Sequence, residues 1–143
     1  MIKIWVHLVW STKYRKPLLV KEVREQLFEH IKTRMSSKGI YIDCINGHLD
    51  HVHCLITLGS NDNIAKVANL IKGESSRWMN KNRLCDEHFK WQRQYYAVSV
   101  GLRQIKRVRL YIKNQETHHS SCDLKVFHSC DLKVAARMEK NKK

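Results

Sequence analysis

Two histidines, His51 and His53, stand two residues apart at the mouth of an apolar run, "HVHCLITL" at 51–58. Alternate residues of a strand project to one face. The two imidazoles therefore share a side, Leu55 continues it, and Val52, Cys54 and Ile56 face the other way. Two neutral imidazoles at that spacing can share one cation; the same pattern also fits two partly buried histidines bonded to backbone. Two histidines alone leave a metal site incomplete, because octahedral Mg²⁺ or Mn²⁺ needs oxygen donors from another side chain, water or phosphate. A second group is Tyr111 and Gln115 in "YIKNQ", four apart and so on one face of a predicted helix, beside the apolar stripe Ile105, Val108 and Ile112. A phenol can act as a nucleophile toward phosphorus, and an amide carbonyl is a hard ligand. A tyrosine at a core margin with a solvent-facing glutamine has the same spacing.

A third group mixes cations with aromatics. Lys13, Arg15 and Lys16 surround Tyr14, and Lys72, Arg77 and Trp78 lie on a second predicted helix. "KWQRQYY" at 90–96 interleaves Lys90 and Arg93 with Trp91, Tyr95 and Tyr96. Aromatic faces stack bases while Lys and Arg hold phosphates, which suits single-stranded or hairpin nucleic acid. Core tryptophans beneath a solvated charged surface fit the same residues. Lys plus Arg is 27 against 13 for Asp plus Glu, a net charge of +14 spread along the chain. An acidic small molecule does not require so much charge, whereas a polyanion does.

The elements that must position these groups follow from periodicity. Residues 3–11 read as a strand, 20–37 as an amphipathic helix stopped near Gly39, and 40–46 and 51–58 as a hairpin. Asn63 suits a cap for a helix over 64–79, with Gly73 weakening its second half. A polar stretch over 80–93 precedes a strand at 95–101 and a helix at 102–119. The order β-α-β-β-α-β-α predicts an α+β fold of ferredoxin-like or RRM-like type, with a central antiparallel sheet and helices packed on it. At 143 residues the chain is about one domain. Its five cysteines form no CxxC pair, which points to a reducing cytoplasm. No run is long enough for a membrane span, and "IWVHLVW" is too short and too closely followed by charge for a signal peptide. "SCDLKV" occurs at 121–126 and again at 129–134, so the expectation is a domain over 1–119 and an atypical, partly disordered tail over 120–143.

Together these pieces resemble one family. "DHVHCLI" is similar to the HUH motif (histidine, bulky hydrophobe, histidine) and "YIKNQ" to the catalytic helix Tyr-Ile-x-x-Gln. "HLVWSTKYRKPLL", "IKGESSRW" and "WQRQYYAVSV" also resemble the small single-tyrosine, TnpA-type transposases of the two-hundred class of bacterial insertion sequences. The likeness covers about residues 4–119. It implies a compact α+β domain that cuts and rejoins single-stranded DNA through a 5′-phosphotyrosine. It also implies recognition of DNA hairpins, a bacterial cytoplasmic location, and a homodimer in which one subunit's tyrosine helix can complete the other's metal site. By position it implies Tyr111 as nucleophile, with His51, His53 and Gln115 holding Mg²⁺ or Mn²⁺. Lys13, Arg15, Lys16, Lys72, Arg77, Trp91 and Arg93 are the expected nucleic-acid contacts. The alternative is a non-catalytic hairpin-binding protein on the same fold.

Overall fold

Alternation of large apolar side chains builds the sheet. In β1 (Ile4–Thr12), Val6, Leu8 and Trp10 enter one core, while Trp5 and Val9 join clusters on the opposite face. The computed structural model describes residues 2–115. After β1 come α1 (Lys21–Ser37), β2 (Ile42–Gly47), β3 (His51–Leu58), α2 (Ile64–Lys81), β4 (Trp91–Val100) and α3 (Ile105–Lys113), with 3₁₀ turns at Lys13–Arg15 and Leu102–Gln104. The strands form one antiparallel sheet in the order β2-β3-β1-β4, the ferredoxin-like layout expected from the element order.

The sheet divides the molecule. On one side α1 and α2 cover the main core: Leu27, Ile31 and Met35 from α1, with Val67, Ile71 and Met79 from α2, meet Leu8, Trp10, Val52, Cys54 and Ile56. On the other side, among the described residues, α3 is the one helix on the sheet. Ile105, Val108, Tyr111 and Ile112 form a smaller cluster with Cys44, Leu55 and Val100. The bidentate pair of Arg109 with Asp43 (2.7 and 2.9 Å) ties α3 to β2. The Arg109 hydrogen bond holds the Asp43 carboxyl below the usual range, against the opposing effect of burial.

Local signals account for two of the helix ends. Asn63 Oδ1 accepts from the Ala65 and Lys66 amides at the start of α2. At the end of α1, Gly39 takes φ +78°, the Gly39 amide donates to Ser36 and the Ile40 amide to Met35, a Schellman closure. Several boundaries shift from the sequence expectation, and two of the shifts have a plain reason. α2 runs on past Gly73 to Lys81, because Ile71, Ser75 and Met79 stay buried on either side of that exposed glycine. β4 begins at Trp91, four residues before the predicted start. It is an edge strand, so its exposed Arg93 and Gln94 read as loop although Trp91 and Gln92 are buried. The end of the predicted 102–119 helix, the boundary at 119 and the duplicated tail lie outside the described residues.

Candidate active site and nucleic-acid groove

The β2–β3 connection sets the first histidine. A Cβ at Gly47 would collide with the His51 carbonyl oxygen, and the His48 amide donates to that same oxygen at 3.0 Å. Glycine is thus required for the close approach that starts β3 at His51. Strand alternation then puts His51 and His53 on the α3 side of the sheet, both buried, with ring centroids 5.1 Å apart.

α3 brings its two residues to the same place. Tyr111 is 4% exposed and lies edge-on to His53, with centroids 5.6 Å apart. Gln115, 1% exposed, donates its amide nitrogen to the Tyr111 carbonyl at 3.3 Å and turns Oε1 to His51 Nε2, also at 3.3 Å. Tyr111, Gln115, His51 and His53 therefore converge within one chain.

The hydrogen-bond chemistry decides whether a cation fits. His51 Nδ1 lies 2.8 Å from Asp50 Oδ1, and an ionised carboxylate only accepts, so Nδ1 carries the hydrogen. Burial would raise the Asp50 carboxyl. The hydrogen bond and charge of His51, with the Arg15 guanidinium at 3.0 Å, instead bring it down to about 2. With the hydrogen on Nδ1, His51 Nε2 faces Gln115 Oε1: a protonated ring donates to that oxygen, and in a neutral ring a cation held by both atoms would take the place of that hydrogen. Among the described residues no three His, Cys, Asp or Glu side chains group as a metal cage. What gathers is two imidazoles and an amide oxygen, a neutral set that fits a divalent ion whose remaining ligands are water or phosphate oxygens.

One residue here carried no signal in the spacing. His7 on β1 places Nε2 3.0 Å from His53 Nδ1, and burial pushes its pKa down to about 4. The signal that could find it is its phase: His7, like Val9, alternates with the main-core residues Val6, Leu8 and Trp10, which puts it on the histidine face.

The basic residues separate into two groups. Lys13, Lys72, Arg77, Trp91 and Arg93 all line one groove of about 510 Å³ between α2 and the start of β4, joined by His88 and Lys90. Arg77, Lys90 and Arg93 are exposed there. Lys72 is buried, donating to the Gln92 and Arg93 carbonyls at 2.7 and 2.8 Å, and burial lowers its pKa to about 8. Trp91 is also buried: its ring meets Trp10 and Phe89 edge-on and its Nε1 donates to Ser75. Their side chains are committed to joining α2 to β4, so Arg77, Lys90 and Arg93 are the cations the groove exposes to solvent among those named. Arg15 and Lys16 are not in the groove lining; they pair with Asp50 and Glu87. The groove lies on the α2 side of the sheet and the histidines on the α3 side.

Fold and site together define, among the described residues, a small α+β unit with a tyrosine helix docked over paired histidines. The sequence model of the family "Transposase IS200 like" matches residues 1–115, and the chain belongs to that family. It is 27% identical over 115 residues to the ISDra2 transposase TnpA of Deinococcus radiodurans, across 76% of this chain and 81% of that one. A crystal structure of an assigned transposase from Deinococcus radiodurans R1 superposes with a TM-score of 0.63 at 25% identity, covering 80% of this chain and 92% of that chain. A REP-associated tyrosine transposase bound to a REP hairpin shares the fold, with a TM-score of 0.61 at 18% identity over 81% of this chain and 67% of that one. Among the described residues no helix is long and apolar enough to cross a membrane.

Proposed function

We propose that this transposase cuts and rejoins single-stranded DNA with Tyr111 as the nucleophile. The observation that carries the reading is the convergence of Tyr111, Gln115, His51 and His53 on one face of the sheet. The Tyr111 oxygen attacks a backbone phosphorus, the bond from phosphorus to the 3′-oxygen breaks, and a 5′-phosphotyrosine and a 3′-hydroxyl result. The phenol loses a proton and the departing 3′-oxygen gains one, so protons balance. Because the phosphodiester is conserved as a tyrosyl ester, a second 3′-hydroxyl reverses the step and joins new ends without ATP.

His51, His53 and Gln115 would hold Mg²⁺ or Mn²⁺. Such an ion, when bound, offsets charge on the non-bridging phosphate oxygens. Asp50 keeps the His51 ring oriented, and the Tyr111 carbonyl keeps the Gln115 amide from turning. The groove across the sheet supports hairpin recognition: Arg77, Lys90 and Arg93 offer charge to a DNA stem. A homodimer that can exchange the tyrosine helix is part of the same reading. It is supported by the small cluster that holds α3 apart from the main core. The free thiols of Cys44, Cys54 and Cys85 suit the bacterial cytoplasm.

The test is covalent capture of a labelled single-stranded oligonucleotide carrying the hairpin. Tyr111→Phe abolishes capture and leaves binding intact, and EDTA stops cleavage. Capture that survives the substitution removes Tyr111 from its role, and cleavage that ignores EDTA removes the metal. Hairpin binding with no cleavage by the wild-type chain leaves the non-catalytic reading.

A further inference from the structure

His7 and His53 are forty-six residues apart in sequence and meet across the β1–β3 pair. The register opposes His7 to Leu55 and Val9 to His53, so the two histidines are diagonal neighbours on one face. Their ring centroids lie 5.2 Å apart with the planes tilted by 30°, and His7 Nε2 is 3.0 Å from His53 Nδ1. The Tyr111 ring stands edge-on to both, 5.6 Å from His53 and 6.1 Å from His7. Only one hydrogen fits between two ring nitrogens at that distance. One ring must donate and the other accept, so the contact fixes the tautomer of both.

We infer that His7 is a positioning residue that accepts from His53, holding the His53 hydrogen on Nδ1 so that Nε2 carries the lone pair turned toward the cation. The inference rests on the proposed role of His53 as a ligand. The opposite arrangement, with His7 donating, would put the His53 hydrogen on Nε2 and close that atom to a metal. His51 supplies the parallel: its Nδ1 is anchored on Asp50 at 2.8 Å and its Nε2 is presented to Gln115. Both imidazoles are then held by the same atom and offer the same atom. The anchors differ in charge. A second carboxylate beside His53 would set another negative charge near the incoming phosphate, whereas an uncharged imidazole orients the ring without one.

The tautomer is read directly by long-range ¹H–¹⁵N spectra of the metal-free protein, at a pH above the ordinary histidine range. In the wild-type chain His53 shows a protonated Nδ1 and a bare Nε2. His7→Phe, which fills the space without an acceptor, moves the hydrogen to Nε2 and weakens Mn²⁺ binding by about 10–100-fold. His7→Gln, whose carbonyl oxygen reaches the position of Nε2, restores both readouts. A wild-type His53 protonated on Nε2, or a His53 tautomer unchanged by His7→Phe, overturns the inference. The wild-type spectrum needs no variant, so a His7→Phe chain that fails to fold leaves the test intact. If His53 keeps Nδ1–H through His7 but the wild-type chain takes up no Mn²⁺, the metal reading fails and the tautomer assignment stands.

Discussion

Ile112→Ala separates the docking of the tyrosine helix from the stability of the whole fold. Ile112 is fully buried in the cluster that joins α3 to Cys44, Leu55 and Val100, and that cluster is distinct from the core beneath α1 and α2. The substitution removes three carbons, or about 2.4 kcal/mol of transfer free energy at about 0.8 per methylene. A residual cavity of about 30 Å³ adds about 0.7 kcal/mol. A loss of about 3 kcal/mol multiplies the population of the undocked helix by about 100-fold, since each 1.4 kcal/mol is tenfold. Native-state hydrogen exchange reads this residue by residue. The amides of α3 should lose about 100-fold in protection while those of β1 and β3, held by the main core, keep theirs. If β1 and β3 lose protection by the same factor, α3 is not an independent unit and does not dock separately from the main core.

Two further outcomes follow from the groove. Arg77→Ala and Arg93→Ala, both exposed cations, should each weaken hairpin binding and lower the slope of log affinity against log salt by about 1, leaving the unfolding midpoint unchanged. Fluorescence anisotropy across a salt series checks this, and an unchanged slope removes those arginines from the phosphate contacts. Burial lowers Lys72 from 10.5 to about 8, so between those values the unfolded chain binds a proton that the folded chain releases. Stability from this group therefore rises with pH across that window and is flat below it. Urea unfolding of the wild type against Lys72→Met should show a difference that grows from pH 8 to 10.5, and a constant difference refutes the assignment.

The elements that carry the site were legible because their patterns are local. "HVHCLITL" is a short apolar run after a turn and forms β3; the stripe Ile105, Val108 and Ile112 repeats at helical spacing and forms the buried face of α3. Placing Tyr111 and Gln115 against His51 and His53 depended on the sheet order, which the βαββαβα succession predicts. Other features depend on partners distant in sequence. His7 is a lone histidine in an apolar strand, and its meaning appears only when β3 lies beside β1. Lys72 and Trp91 sit among charged and aromatic neighbours that suggest a ligand surface. Their burial comes from α2 packing on the first residues of β4, which an edge strand's polarity disguises as loop. The cationic groove is likewise assembled from three separate segments, so composition gave its sign but not its place.

The two faces of the sheet are connected at one end of β1, and the connection is strained. Lys13 lines the groove; two residues later Arg15 holds Asp50, which anchors His51. Between them the backbone turns through φ +60° at Tyr14 and +53° at Arg15, a left-handed conformation disfavoured for residues with side chains. Each such residue costs on the order of 1–3 kcal/mol and persists only where its surroundings over-determine it. Here the Lys13 amide donates to the Lys90 carbonyl, the Thr12 hydroxyl donates to the Lys16 carbonyl, and Lys16 pairs with Glu87. Glycine at 14 would relieve the backbone but also widen the conformations open to the unfolded turn. A turn without glycine thus carries a guanidinium from the groove side to the anchor of the first histidine. The groove's rim and the anchor of the histidine thus draw on residues two apart in one turn.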